Sequence, residues 1–230
     1  MRIIVTLLIL LLLYGPASAG LQQQFALLAK KNTSTGPTYL VEEDCEGTGT
    51  PAGWTNTGTV NWDDASAPLE GSQSLSISAN YSYSTISFAT IAGKADSYIV
   101  VNVSSLPASS VVLVYLLDGS SNIIGFVRLL SSGAVRIFHG TANVTTASVV
   151  SAGVTAYIWY DFTPGTGANG VANVYVSANT TKGSADGTVS TGTSTAGVAK
   201  MRVGKDDASG FTHTFDHIRL DDETIGDNPT

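Results

Sequence analysis

Short apolar segments separated by polar turns make up the chain from about residue 38 onward. The segments are roughly five to nine residues long, and Gly, Ser, Asn, Asp and Thr cluster between them, as is typical of β-strands. None is followed by a helical pattern, which excludes βαβ units and a parallel sheet. The pattern therefore predicts an all-β domain, with its clearest strands at 38–41, 74–78, 98–103, 111–117, 123–130, 134–138, 155–162, 172–177, 199–204 and 215–220.

The run Val111–Leu117 is apolar at every position, so both of its faces should be covered and the strand should be central in its sheet. The residues that follow, 118–122, have turn chemistry and predict a hairpin into the next strand. By contrast, 180–197 is rich in Gly, Ser and Thr, which indicates a long exposed connection with one edge strand. Repeated hairpins of this kind favour an antiparallel sandwich.

The N-terminus has the pattern of a secretory signal peptide. Met1-Arg2 precedes an apolar run over 3–13, and Ala17-Ser18-Ala19 supplies small residues at a cleavage site. The apolar run is shorter than the roughly 20 residues that a membrane-spanning helix needs, and we expect no membrane span elsewhere. We therefore predict a signal peptide over 1–19, a short amphipathic N-terminal arm over 20–38, and a protein that is secreted, extracellular or at the cell surface.

Composition narrows the classes of partner. Hydrophobic residues make up 43% of the chain, which is enough for a packed core. The net charge of −7 and the lack of a Lys/Arg cluster in the domain argue against nucleic acid. The single cysteine, Cys45, cannot form a disulfide within the chain, and between two acidic neighbours it is expected to be a small buried residue of low reactivity.

Four segments together resemble the concanavalin A-like, laminin-G-type jelly roll of many lectins and secreted modules. They are EDCEG at 43–47 with Gly53-Trp54, APLEGSQSL at 67–75, the hairpin YIWYDF…VYV at 157–176, and the closing FDHIRL at 215–220. The resemblance implies one two-sheet antiparallel jelly-roll sandwich over 39–222, with a C-terminal tail over 223–230. Because this fold hosts lectins, enzymes and structural domains, it does not by itself predict function.

The resemblance also implies a structural calcium ion. Jelly rolls of this kind often join the first strand to the last through Ca²⁺, and the matching positions are Glu46, the backbone of Gly71, and Asp216. Carboxylate and carbonyl oxygens are the ligands that Ca²⁺ prefers. In a domain without a disulfide such an ion would add stability.

Aromatic residues in or beside the predicted loops are the candidates for sugar binding. They are Trp54, Trp62, Tyr81 and Tyr83, with Asp63 beside Trp62 as a polar partner. Exposed aromatic rings stack on apolar faces of ligands while polar neighbours fix the orientation. We therefore expect a lectin-like module that binds a glycan or an extracellular polysaccharide.

Two alternatives stay open. Low charge, the Ser/Thr/Gly tract and the N-terminal arm would also suit a self-assembling subunit of an extracellular filament, sheath or surface layer. A jelly-roll glycosidase is the weaker alternative, because alternation would place Glu42, Asp44 and Glu46 on one strand face, as in retaining enzymes with paired carboxylates. That segment lies on the first strand of the domain, so we expect no catalytic residues and no enzymatic activity.

Overall fold

A computed structural model describes residues 39–66, 68–205 and 212–227. These residues belong to a compact unit that spans Tyr39–Thr230. The predicted signal peptide and N-terminal arm, 1–38, lie outside the described residues. Along the part of the chain that the structure describes, there is no helix with the length and apolarity to cross a membrane.

Every regular element among the described residues is a β-strand. The strands are β1 (Val41–Glu43), β2 (Trp54–Thr57), β3 (Asn61–Asp64), β4 (Ser74–Ile77), β5 (Ser82–Ile91), β6 (Ala95–Val103), β7 (Val111–Leu117), β8 (Ile123–Leu129), β9 (Ala134–His139), β10 (Ala142–Val149), β11 (Ala156–Thr163), β12 (Val171–Ser177), β13 (Gly187–Val189), β14 (Val198–Lys205) and β15 (His213–Asp221).

The strands form two antiparallel sheets packed face to face. The eight-stranded sheet has the order β13-β12-β11-β6-β15-β4-β3, with β1 also paired to β15. The seven-stranded sheet has the order β10-β9-β8-β7-β14-β5-β2. This is a concanavalin A-like jelly-roll sandwich, which confirms the predicted fold.

The core lies between the sheets, where alternate residues of each strand point inward. Strand β7 is central in the seven-stranded sheet and all seven of its residues are buried, as its continuous apolar run predicts. Cys45 is also buried in this core, with its Sγ 3.8 Å from the carbonyl oxygen of Phe215. Burial raises the pKa of its thiol, consistent with a packing role rather than a reactive one.

Several strands are not predicted by the apolar pattern, namely β2, β3, β5 and β10. Strands β5 and β10 consist largely of Ser, Thr and Ala, and each has one half-exposed face. Their places in the sheet come from pairing with apolar neighbours rather than from their own hydrophobicity.

The predicted C-terminal tail also belongs to the domain as far as residue 227. The side chain of Ile225 is 1% exposed, and the backbone carbonyl of Gly226 accepts a hydrogen bond from Trp159 Nε1 at 3.1 Å. We call Thr224–Asp227 the C-terminal segment. It packs on the outer face of the eight-stranded sheet, so the domain extends beyond the predicted end at 222.

Candidate functional site

The outer face of the seven-stranded sheet has a row of side chains that runs across five adjacent strands. Directly paired residues on antiparallel strands lie side by side on one face. In order across β5, β14, β7, β8 and β9 the row is Thr85, Arg202, Tyr115, Phe126 and Phe138. Residues far apart in sequence are brought together by this register alone.

Arg202 lies between two tyrosines. Its guanidinium carbon is 4.1 Å from the ring centre of Tyr83 and 5.6 Å from that of Tyr115. A cation over an aromatic face is attracted to it, by about 0.5 to 1 kcal/mol at exposed sites. The two rings therefore hold Arg202 in place, and the half-buried Tyr83 lies next to its charge.

Phe126 is the centre of the aromatic part of the row. Its ring meets Tyr115 edge-on at 6.1 Å and stacks on Phe138 at 4.6 Å with an interplanar angle of 4°. The guanidinium of Arg128 lies 4.7 Å from the Phe126 ring centre. Phe126 and Phe138 are each only partly buried, so they form an apolar platform open to solvent.

A pair of arginines lies beside the platform formed by Phe126 and Phe138. Arg128 on β8 and Arg136 on β9 are direct cross-strand partners. Like charges in this position repel each other. Arg136 Nε donates a hydrogen bond to Thr145 Oγ1 at 3.1 Å, which fixes the stem of that side chain.

The charge of this surface contrasts with that of the whole chain. We call this surface the arginine–aromatic face. Its residues are Tyr83, Tyr115, Phe126, Arg128, Arg136, Phe138, Lys200 and Arg202. The chain has a net charge of −7. Yet among the described residues no carboxylate forms an ion pair with Arg136, Lys200 or Arg202. Arginine binds carboxylates through paired hydrogen bonds, and aromatic rings stack on sugars, so this face suits an acidic saccharide.

Two of the predicted sugar-binding residues belong to the core instead. Trp54 is 7% exposed and Trp62 is 3% exposed, with their ring centres 5.1 Å apart. Trp62 Nε1 donates to Asn56 Oδ1 at 3.1 Å. The short strands β2 and β3 turn both rings inward, so burial prevents either one from stacking on a sugar.

The other three predicted residues have different positions. Tyr81 is 60% exposed, with a left-handed φ of 52°, and precedes β5. Asp63 is exposed, and its Oδ1 accepts a hydrogen bond from the amide of Gly49 at 2.6 Å. Only Tyr83 lies on the arginine–aromatic face.

The remaining residues of the face were not predicted from the sequence. One signal was present: Phe126-x-Arg128 on β8 and Arg136-x-Phe138 on β9 place an aromatic and a cation on the same side of each strand. These patterns lie inside predicted strands, whereas the sugar-binding residues were expected in or beside loops.

The acidic segment does not form the arrangement of a retaining glycosidase. Strand β1 ends before Asp44, and Cys45 has a left-handed φ of 59°, which breaks the alternation. Glu42 lies opposite Arg219 in the sheet, and Asp44 is ion-paired to Arg219. The side chain of Glu46 turns away to another loop, so the three carboxylates do not share one strand face.

Two of the predicted calcium ligands, Glu46 and Asp216, accept hydrogen bonds from backbone amides of the same turn. Glu46 accepts hydrogen bonds from the Ser72 hydroxyl at 2.5 Å, the Ser72 amide at 2.8 Å and the Gln73 amide at 3.2 Å, which lower the pKa of its carboxyl. Asp216 Oδ2 accepts from the amide of Glu70 at 3.1 Å, at the start of the same turn, and burial raises the pKa of Asp216. Both carboxylates are thus attached to the turn that begins at Glu70.

The donor chemistry of this turn suits calcium. Gly71 is needed for close approach, since a Cβ there would lie 2.1 Å from Glu46 Oε1, and its φ is +62°. The amide oxygen of Gln73 is buried without a hydrogen-bond partner. Within the described residues no three His, Cys, Asp or Glu side chains converge as a metal site, so backbone and amide oxygens would have to complete the coordination. The calcium ion stays a prediction.

A separate charge cluster lies under the C-terminal segment on the eight-stranded sheet. It consists of Lys94, Asp96, Asp161 and Lys182. Lys182 Nζ is 3.2 Å from Asp96 Oδ2 and 3.0 Å from Asp161 Oδ1, and Lys94 Nζ is 3.2 Å from Asp96 Oδ2. The amide of Ile225 donates to Asp96 Oδ2 at 2.9 Å. The cluster therefore attaches the C-terminal segment to the sheet.

Within the cluster the two carboxyls differ. Asp96 is fully buried, and burial together with the adjacent Asp161 raises its pKa to about 7. A proton on the otherwise unpartnered Asp96 Oδ1 would let that oxygen donate to Asp161. The hydrogen bond from Asp96 and the charge of Lys182 keep the pKa of Asp161 below its usual value despite its burial.

Comparison with known proteins identifies the fold but no family. No protein-family model and no curated protein matches the chain. Among solved structures, endo-beta-1,4-glucuronan lyase from the fungus Trichoderma reesei is similar, with a TM-score of 0.63 and 13% identity over 84% of this chain and 99% of that chain. Cellulose induced protein, Cip1, has a TM-score of 0.62 and 16% identity over 81% and 99%.

A third similar structure is that of botulinum neurotoxin type C, whose cell entry depends on interaction with two ganglioside molecules. Its TM-score is 0.54, with 4% identity over 75% of this chain and 43% of that chain. At these identities the similarity shows the jelly-roll fold alone.

The similarity to a lyase corrects the expectation that the chain is not an enzyme. Nearly the whole length of that enzyme, 99%, is covered by this one domain. The reasoning from the acidic segment addressed only hydrolysis by paired carboxylates, and a lyase uses different chemistry. The absence of a carboxylate pair was therefore no ground for excluding catalysis.

Proposed function

We propose that the arginine–aromatic face binds an acidic polysaccharide and cleaves it by β-elimination. The observation that supports this most is that Arg136, Lys200 and Arg202 have no ion-pair partner among the described residues and lie on one face with partly exposed aromatic rings, in an acidic chain. Such a surface selects a ligand that is both negatively charged and able to stack. The similarity to a glucuronan lyase supports elimination as the reaction class.

The proposed chemistry assigns separate tasks to neighbouring side chains. In β-elimination a base removes the proton on the carbon next to the carboxylate, the bond from the adjacent carbon to the glycosidic oxygen breaks, and a carbon–carbon double bond forms. The departing oxygen takes up a proton. Arg202 would neutralise the carboxylate and stabilise the negative charge that develops on it.

Tyr83 is the proposed proton carrier. Its ring lies 4.1 Å from the guanidinium carbon of Arg202 and is half-buried, whereas Tyr115 on the other side of Arg202 is buried, so Tyr83 is the tyrosine beside Arg202 that a ligand can reach. The platform formed by Phe126 and Phe138 would hold the neighbouring sugar. We further propose that the protein acts outside the cell, as the N-terminal sequence pattern predicts.

The test compares two tyrosine variants. Tyr83→Phe keeps the ring over which Arg202 stacks, so binding of β-1,4-glucuronan should stay within about twofold while the rate of formation of unsaturated ends falls about 100-fold or more. Tyr81→Phe, off the face, is the matched control and should keep full activity. Equal activity of Tyr83→Phe and the parent protein would refute the role of Tyr83, and no unsaturated product from the parent would refute the lyase proposal.

A further inference from the structure

Four outward-facing side chains meet where the seven-stranded sheet ends at β10. Strand β10 is an edge strand paired with β9, and the pairing places Asn143 beside Phe138 and Thr145 beside Arg136. The residue of β9 between that arginine and phenylalanine, Ile137, is fully buried in the core. Because side chains alternate along a strand, all four lie on the outer face of the sheet. We call these four residues the β10 corner.

One face of the Phe138 ring is open to a ligand at this corner. Phe126 stacks in parallel on the side of β8, with ring centres 4.6 Å apart and an interplanar angle of 4°. The opposite face of the Phe138 ring therefore points toward β10, where the cross-strand neighbour is Asn143. Asn143 is exposed, and its side chain is much shorter than an aromatic ring. A sugar ring can therefore lie over Asn143 with its apolar face against Phe138.

The polar groups of the corner are positioned but not used up within the protein. Arg136 Nε donates to Thr145 Oγ1 at 3.1 Å, which holds the side chain and leaves the two terminal nitrogens for other partners. No carboxylate among the described residues is ion-paired to Arg136. The Asn143 side chain forms no hydrogen bond with the part of the chain that the structure describes. Its amide offers both a donor and an acceptor, which suits neighbouring sugar hydroxyls.

The corner is remote from the proposed site of bond cleavage. In the row across the sheet, Phe138 on β9 is three strands from Arg202 on β14. Neighbouring strands are about 4.8 Å apart, so the two residues are about 14 Å apart along the row. A ligand that reaches both must be an oligosaccharide of several sugars, and its middle sugars need no contact with the buried Tyr115. Contacts this far from the reacting atoms favour binding without changing the bond-breaking step.

We infer that the β10 corner is a subsite for one acidic sugar of a long chain, with the ring against Phe138, hydroxyls at the Asn143 amide and the carboxylate at Arg136. This rests on the proposed function and deepens it, because it assigns a contact that only a ligand of several sugars makes together with Arg202. Asn143 and Arg136 then determine preference for long acidic chains and take no part in elimination.

Calorimetric titration with a hexasaccharide of β-1,4-linked glucuronic acid tests the subsite, in the Tyr83→Phe protein so that the ligand is not cleaved. Adding Asn143→Ala should weaken binding about five- to tenfold, as expected for lost neutral hydrogen bonds. Asn143→Asp keeps the size of the side chain but repels a carboxylate, so it should weaken binding further. Arg136→Met should weaken it at least about tenfold. Asn80→Ala, an exposed asparagine outside the face, is the matched control and should stay within about twofold.

Kinetics with long glucuronan and the protein with Tyr83 intact provide the second readout. Asn143→Ala should raise KM about five- to tenfold and leave kcat within about twofold. A fall in kcat as large as the fall in kcat/KM would place Asn143 at the reacting atoms and overturn the inference. Hexasaccharide affinity that is unchanged in both Asn143 variants would also overturn it, while leaving the proposed function intact. No binding of the hexasaccharide to the Tyr83→Phe protein would refute the proposed function itself.

Melting temperatures separate binding from folding. Asn143 is exposed on an edge strand, so both of its variants should melt within about 2 °C of the parent without ligand. A larger fall in both variants would show that Asn143 has a structural role and would overturn the inference.

Discussion

Lys182 is a buried charge whose removal should destabilise the domain measurably. Its ammonium group is 3.2 Å from Asp96 and 3.0 Å from Asp161, and only 11% of the side chain is exposed. It also donates to the backbone carbonyl of Ile225 at 3.2 Å. Lys182→Met keeps most of the stem but leaves two buried carboxylates beside one cation, Lys94.

The loss of stability expected for Lys182→Met can be estimated from the burial of its ion pairs. Removing one partner of a buried ion pair costs about 3 to 5 kcal/mol. Lys94 is 33% exposed and still neutralises part of the charge, so we expect a loss of about 2 to 4 kcal/mol in the free energy of unfolding at about pH 8, above the pKa of about 7 of Asp96. Because each kcal/mol lowers the melting temperature of a domain of this size by about 2 to 4 °C, the melting temperature should fall by roughly 5 to 15 °C.

Scanning calorimetry of three variants tests the reasoning. Lys200→Met, a lysine on the opposite sheet that hydrogen-bonds to Ser121, should change the melting temperature by less than about 2 °C. Adding Asp96→Asn to Lys182→Met should recover part of the loss, since one fewer buried charge then needs a partner. A melting temperature of Lys182→Met within about 2 °C of the parent, or no recovery in the double variant, would refute the account of the cluster.

Three further outcomes are expected. EDTA should lower the melting temperature of the parent but not that of Glu46→Gln. If EDTA leaves the melting temperature of the parent unchanged and elemental analysis finds no calcium, the predicted calcium ion is refuted. Because the pKa of Asp96 is raised to about 7, its contribution to stability is greatest in acid and is lost as the pH rises from about 4 to 7, so urea titrations should show a downward slope there that Asp96→Asn lacks. Gly125→Ala should destabilise the domain because its Cβ would lie 2.6 Å from the Tyr160 hydroxyl, and an unchanged urea midpoint would contradict that packing.

The fold could be predicted because its strands have strong local patterns. The continuous run of β7 and the closing strand β15 both lie where the apolar pattern and the family resemblance place them. Strands β5 and β10 could not be found in that way, because Ser and Thr pair into a sheet only when apolar neighbours supply the core. The extension of the domain to residue 227 depends on a buried Asp96 that holds Ile225, a contact between distant residues.

The site was less predictable than the fold. Arg202 and Tyr115 are 87 residues apart and adjacent only through the pairing of β14 with β7, which a single sequence does not reveal. Trp54 and Trp62 were expected in loops, but each is an inward-facing residue of a short strand. Tyr83 was expected in or beside a loop but lies half-buried in strand β5, and the charge next to it comes from another strand.

The most direct test of the central proposal is a crystal structure of the Tyr83→Phe protein with a tetrasaccharide of β-1,4-linked glucuronic acid, alongside a carboxyl-reduced tetrasaccharide of the same length. We expect the acidic ligand to lie on the arginine–aromatic face of the seven-stranded sheet, with a carboxylate at Arg202 and a ring over Phe126. The reduced ligand should leave the face empty under the same conditions. Acidic sugar bound elsewhere, or both ligands bound equally at this face, would contradict the account.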